Sequence, residues 1–265
     1  MADGEISAEA PGPVEPGHVK PEGPRKTDLG VRAMSAIVMV AVAGFCLWMG
    51  GLLLDAFIVI VAGVAYWEFQ RLVRRMGIEL GHSAGRTLAW TLGGALYMGV
   101  AAWLMTTVPA ILVVLAIAIT AFVDTFAYFS GRTFGGPKIA PSISPSKTWA
   151  GLGGGVVGAA LALVLFLYTA HIWAAGFGEM GVPGNSRDTY FVVFGGAELI
   201  VSALAAGAVL AILAQAGDFF ESWMKRRAKV KDSSTLIPGH GGVFDRVDGL
   251  LPVSILIGLL ALLAA

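Results

Sequence analysis

Seven apolar stretches approach the ~20 residues that a helix needs to cross a bilayer. They run approximately Val31–Trp48, Leu52–Phe69, Thr87–Met105, Ala110–Phe129, Trp149–Trp173, Phe191–Ala214 and Gly249–Ala265. In lipid, backbone polar groups must be satisfied internally, which restricts spanning structures to helices and closed barrels. Unbroken apolar runs of this length predict helices, so the expected fold is an all-α, polytopic integral membrane bundle. Only 14% of the 265 residues are charged and 56% are hydrophobic, where a soluble domain carries about 25% charge. Some stretches are long or glycine-broken, which sets the expectation at about seven to nine transmembrane helices. The Gly50-Gly51 turn makes the first two a hairpin. The 36 glycines suit close helix approach, and the run Gly151-Leu152-Gly153-Gly154-Gly155 suits packing within the chain or across a homodimer.

Residues 1–30 are rich in Pro, Gly and Glu and lack apolar bulk, which predicts a disordered cytoplasmic tail ahead of a transmembrane domain at 31–265. No apolar stretch follows a basic start in those thirty residues, so the tail does not read as a signal peptide. His18 in it is expected to be solvated. Cys46 is the one cysteine, which excludes an intramolecular disulfide and a multi-cysteine zinc site. Basic residues gather in the tail, after the second span (Arg71, Arg74, Arg75, Arg86), after the fourth (Arg132, Lys138, Lys147) and after the sixth; the intervening loops hold only Arg187. The positive-inside rule then places the N-terminus and all these clusters in the cytoplasm.

The loop after the sixth span, Ser222 to Asp248, is the densest charge in the chain. Where it begins, Asp218, Glu221, Ser222 and Lys225 share one helix face by their spacing. Asp245 and Asp248, three apart, would point the same way on a helix and repel unless a cation lies between them; hard oxygen ligands suit Mg²⁺. Pro238-Gly239-His240-Gly241-Gly242 allows the close backbone approach of a phosphate cradle or serves as a plain turn. Asp124, deep in the fourth span, is a costly intramembrane carboxylate and a functional candidate. Ser142 to Thr148 adds hydroxyls and Lys147. Glu68 divides evenly between a functional acid and a partner for Arg71 or Arg75. Asp55 and Glu198, at the opposite face, read as structural.

The order Ser222-x-x-Lys225-Arg226, Lys231-Asp232, Pro238-Gly239-His240-Gly241-Gly242 and Asp245-Arg246-x-Asp248 resembles the signature of the phosphatidate cytidylyltransferase (CDP-diacylglycerol synthase) family. Asp124-x-x-Ala127-Tyr128-x-x-Gly131-Arg132, Ser144-Pro145-x-Lys147-Thr148 and Tyr66-Trp67-Glu68 resemble further blocks. Ala150 stands where many relatives carry Glu or Gln, and family members usually have more than seven helices. The resemblance implies the reaction CTP + phosphatidate → CDP-diacylglycerol + diphosphate, a step of phospholipid biosynthesis, in a bacterial inner (plasma) membrane, at a cytoplasm-facing cavity. It implies Mg²⁺, with room for a second cation, held by Asp218, Asp245, Asp248 and Asp124. Lys225, Arg226, Lys231, Arg246 and Lys147 would meet phosphate oxygens. Ser222, Ser144 and the backbone at Gly239, Gly241 and Gly242 would add hydrogen bonds. His240 would contact a phosphate or act as an acid. The expected partners are CTP, phosphatidate and the lipid bilayer, without nucleic acid. A related CTP-dependent transferase acting on another lipid phosphate is the neighbouring reading. A lipid or ion transporter is the distant one, and the crowding of acids at one face argues against it.

Overall fold

The computed structural model describes residues 26–178 and 197–264. Eight helices and one hairpin follow in order: α1 (Lys26–Met49), α2 (Gly51–Leu80), α3 (Ala84–Thr107), α4 (Ala110–Thr133), β1 (Lys138–Ala140), β2 (Ser144–Thr148), α5 (Trp149–Gly178), α6 (Ala197–Arg227), α7 (Phe244–Val247) and α8 (Leu250–Ala264). The molecule is a polytopic membrane helical bundle. Among the described residues six helices, α1 to α6, are long and apolar enough to cross a membrane, and α8 is a shorter apolar helix. At 1.5 Å per residue, α8 is about 22 Å long, less than the ~30 Å hydrocarbon core. The seventh expected span is thus present but short.

Two helices run well past their apolar stretches. Hydropathy ends the second span at Phe69 and the sixth at Ala214, whereas α2 continues to Leu80 and α6 to Arg227. These polar extensions carry the acids and lysines on helical geometry. At the other end, α1 begins at Lys26, so the last residues assigned to the tail are helical. Residues 1–25 with His18, together with Arg187 and the start of the sixth expected span at Phe191, lie outside the described residues.

The core has two parts. Ile119 and Val123 of α4, Ala211 and Ala214 of α6 and Val253 of α8 bury one cluster within the membrane span. Phe69, Leu72 and Met76 of α2, Met98 of α3, Met224 of α6 and Phe244 of α7 bury a second under the charged end. There Phe69 meets Phe244 edge-on at 6.0 Å, and Trp90 and Trp223 lie 5.8 Å apart. These are favourable aromatic geometries: the first seats α7 on α2, and the second joins α3 to α6. Van der Waals packing supplies the adhesion between spans in lipid, and α4 and α5 achieve it through glycines. A Cβ on Gly154 would lie 1.8 Å from Ser130 Oγ, and one on Gly158 would lie 2.5 Å from the Phe122 carbonyl oxygen. The glycine-rich face of α5 is therefore occupied within the chain.

Gly217 plays a comparable part nearer the charged end. A Cβ there would lie 2.1 Å from the Asp248 carbonyl oxygen, so α6 rests directly on the backbone joining α7 to α8. This contact sets the residue before Asp218 against the backbone of Asp248. Gly217→Ala should destabilise the bundle by about 1–3 kcal/mol through overpacking and push the α7–α8 junction outward. Thermal unfolding in detergent, with turnover measured on the same preparation, checks both effects.

Candidate active site

The loop Ser142 to Thr148 forms part of a small hairpin. β1 and β2 are antiparallel, pairing Lys138 with Thr148 and Ala140 with Ser144. Arg226 Nε on α6 donates to the Ile143 carbonyl at 3.3 Å and ties the hairpin to the helix. Thr148 Oγ1 accepts from the Gly151 amide at 3.0 Å, fixing the start of α5. Held from both sides, the hairpin delivers Lys147 to an ion pair with Asp218 of α6. Lys147 Nζ also lies 5.4 Å from the centre of the Phe219 ring. Burial pushes the Lys147 ammonium below its ordinary range, against the opposing pull of the Asp124 and Asp248 carboxylates.

This pair sits in a cavity of about 430 Å³ between α4, the hairpin and α6. Asp124, Arg132, Ser146, Gln215 and Asp218 line it with Lys147. Gln215 is buried, and its Oε1 has no hydrogen-bond partner among the described residues. Two carboxylates and an orphaned amide oxygen are hard donors. Mg²⁺ is usually bound by one or two carboxylates, water and substrate phosphates, without a dedicated protein cage. The cavity fits that pattern. Among the described residues, no three His, Cys, Asp or Glu side chains gather as a ready-made metal cage.

A second constellation lies at the centre of the charged end. Lys225 Nζ pairs with Glu221, one helical turn back, and with Asp245 Oδ1 at 2.6 Å. Asp245 Oδ2 accepts from the Ser233 amide at 3.0 Å, Ser233 Oγ at 2.8 Å and the Gly242 amide at 2.8 Å. Burial works to raise the Asp245 carboxyl, but hydrogen bonding to Glu221, Lys225 and Gly242 holds it well below the ordinary carboxylate value. Asp248 takes another course: its Oδ1 accepts from the Gly249 amide at 2.9 Å. Burial raises its carboxyl, and the Gly249 N–H and the Lys225 and Lys147 charges pull the other way.

Asp245 and Asp248 stand three apart on the single turn of α7 and its C-cap, both in helical backbone geometry, and Lys225 is the cation that serves them, bonded to Asp245 and acting on Asp248 by its charge. Through its bonds to Ser233, Gly242 and Lys225, Asp245 ties the loop to α6. Glu68 has a role other than pairing with Arg71 or Arg75. It is fully buried and accepts hydrogen bonds from Ser233 Oγ, Ser234 Oγ, Val243 N and Phe244 N. Arg71 lies over the Trp67 ring.

Other expected site residues are distributed as follows. Asp218, Asp124 and Lys147 share the first cavity. Ser144 is buried in the hairpin, 3.4 Å from Ser146 Oγ, and Ser146 is the serine that lines the cavity. Ser222 is half-buried, makes no side-chain hydrogen bond among the described residues and lines neither cavity. Arg226 is engaged with the hairpin backbone. Lys231, His240, Arg246, Gly239 and Gly241 line a second cavity of about 430 Å³, to which Arg32 of α1 contributes. Gly242 donates its amide to Asp245. Arg246 is close enough to Asp124 for their charges to interact, so the two cavities are neighbours. Sequence reasoning missed Gln215, Arg32 and Ser35. Gln215 had one available signal, a lone amide one turn before Asp218 in an apolar helix.

Comparison with known proteins agrees with this picture. The profile of the cytidylyltransferase family matches residues 101–263. A phosphatidate cytidylyltransferase of Brucella abortus is 43% identical over 145 residues, 55% of this chain and 44% of that protein. That of Haemophilus influenzae is 40% identical over 127 residues, 48% of this chain and 37% of that protein. That of Rickettsia conorii is 37% identical over 149 residues, 56% of this chain and 57% of that protein. The chain spans about half the length of the curated relatives it matches. Helices α1 and α2 lie outside the matched family segment.

Proposed function

The chain belongs to the cytidylyltransferase family, and on that premise we propose that it transfers the cytidylyl group of CTP to phosphatidate. The products would be CDP-diacylglycerol and diphosphate, made at the cytoplasmic surface of a bacterial inner membrane. The observation that carries this reading is the half-buried Lys147–Asp218 pair in a polar cavity, beside Asp124 and the unpartnered Gln215 oxygen.

In this reaction a phosphatidate oxygen forms a bond to the α-phosphorus of CTP. The bond from that phosphorus to the β-bridging oxygen breaks, and diphosphate leaves. The attacking oxygen is already anionic, so a strong general base is not required; the difficulty is bringing two anions together. Lys147 is placed to exchange Asp218 for a phosphate oxygen, and Arg132 and Ser146 add donors to the same wall. Lys225 contributes a second half-buried cation, fixed by Glu221 and Asp245. Asp218, Asp124 and Gln215 Oε1 are the residues that would hold Mg²⁺, with Asp248 close by. When bound, the ion would neutralise phosphate charge and stabilise the leaving diphosphate. Acids and bases meet at one end of the bundle, where a soluble nucleotide and a lipid headgroup can both arrive. The basic clusters at that end favour a cytoplasmic orientation. Pairing of two copies belongs to the same proposal and would use a surface other than Gly151, Gly154 and Gly158 of α5, which already meet α4.

Purified chain in micelles containing phosphatidate should release diphosphate when given CTP and Mg²⁺. EDTA should stop turnover, and Mg²⁺ added in excess should restore it. Turnover with a different lipid phosphate, but not with phosphatidate, would move the lipid assignment. No CTP-dependent turnover with any lipid phosphate would overturn the reading.

A further inference from the structure

Helix α1 lies outside the family-matched segment, yet its charged end closes the second cavity. Gly239 has φ +76°, and a Cβ there would lie 2.5 Å from Arg32 Cγ. The Pro238–Gly242 turn thus rests directly on the Arg32 stem, which explains the need for glycine twice over. One turn along α1, Ser35 Oγ lies 3.0 Å from the Arg32 carbonyl oxygen, 2.9 Å from the Pro238 carbonyl oxygen and 2.8 Å from His240 Nδ1. A hydroxyl has one hydrogen, and both carbonyls can only accept it. With that hydrogen on a carbonyl, His240 Nδ1 is the donor to Ser35 Oγ, and Nε2 is the ring's remaining polar atom. Toward an ionised phosphate oxygen that atom acts as a donor, on the imidazolium form of the ring.

Around this turn the cavity presents three cations, Arg32, Lys231 and Arg246, against one carboxylate, Asp232. The excess of two positive charges matches a phosphate monoester dianion. Arg32 also stands between lipid-facing residues of α1: Leu29 is 74% exposed, and Met34 and Ile37 are 63% exposed. The guanidinium is therefore at the bilayer edge, where a phosphorylated lipid presents its headgroup.

We propose that the second cavity binds a terminal phosphate dianion and that Arg32 is one of its ligands, with Ser35 as the positioning residue for His240. The phosphate belongs to the lipid substrate or to the nucleotide, and this assignment of source rests on the function proposed above. The binding site itself does not.

Two measurements on the full chain separate these claims. In the first, unfolding temperature is followed against inorganic phosphate, with chloride holding ionic strength constant; bound ligand stabilises the folded state. The wild type should rise with phosphate, Arg32→Gln should lose most of the rise, and Arg32→Lys should recover part. In the second, Arg32→Gln should raise the KM for phosphatidate about ten- to hundred-fold, as loss of a charge-assisted hydrogen bond predicts. The KM for CTP and kcat should stay near wild type. Ser35→Ala should raise the same KM by a smaller factor. A rise in the CTP KM instead would keep the site and assign it to the nucleotide. If the wild type shows Arg32-dependent phosphate binding but no turnover, the site stands and the transferase reading falls. Equal stabilisation of wild type and Arg32→Gln by phosphate, with both KM values unchanged, would overturn the proposal.

Discussion

Asp218→Asn should lower turnover by about 10²–10³-fold, the loss seen when one fixed electrostatic group is removed from a reacting centre. The substitution preserves shape and removes one negative charge. Asp218 holds Lys147 in the first cavity and shares that cavity with Asp124 and Gln215. Without its charge, Lys147 loses its salt-bridge partner and the cavity loses one of two carboxylates. Stability should change little, because the Asp218 side chain is a quarter exposed and partly exposed ion pairs contribute modestly. Unfolding temperature and kcat measured together test this: wild-type kcat in Asp218→Asn would remove the residue from the chemistry.

Glu68→Ala should have the largest effect on the fold, about 3–5 kcal/mol. Glu68 is fully buried in α2, and two hydroxyls and two amides between Ser233 and Phe244 converge on its carboxylate. Ser233 Oγ keeps Asp245 Oδ2 as a partner, but alanine leaves the other three donors without one, and each unsatisfied buried group costs about 1–3 kcal/mol, reduced by whatever water enters the gap. The segment anchored by Glu68 also carries the glycine turn and leads into Asp245, so both cavities should loosen. Glu68→Gln should be milder, since one acceptor oxygen remains. Thermal unfolding and protease cleavage within residues 229–243 read the two variants. An unfolding temperature unchanged in Glu68→Ala would show that the carboxylate does not hold the loop.

The contrast between Glu68 and Asp245 shows where sequence reasoning succeeds and stops. Apolar length located all six long apolar helices among the described residues, because lipid imposes that pattern on the chain locally. The helix face joining Asp218, Glu221 and Lys225 was also legible, since α6 continues as a helix through Arg227. The three-residue spacing of Asp245 and Asp248 falls on the single turn of α7 and its C-cap, but spacing does not say which partners the two carboxylates take. Each acid there turns to the nearest backbone donor: Ser233 and Gly242 for Asp245, Gly249 for Asp248. The partners of Glu68 are more than 160 residues away in the chain, and no local pattern encodes a carboxylate satisfied by backbone N–H groups. The bond between Ser35 and His240 joins positions 205 residues apart, so the part of α1 in the second cavity was equally hidden. Hairpin pairing decided which serine lines the first cavity: Ser144 pairs with Ala140 and is buried, while Ser146 remains accessible.

The central claim is that a phosphate oxygen of a lipid displaces diphosphate from CTP in the first cavity. CTP labelled at the α-phosphorus, incubated with the purified chain, Mg²⁺ and phosphatidate, tests it most directly. The account predicts that the label enters organic-extractable lipid only when phosphatidate is present, while label at the γ-phosphorus leaves as diphosphate. Transfer of γ-label to lipid, or an absence of α-label from lipid at saturating phosphatidate, would contradict it.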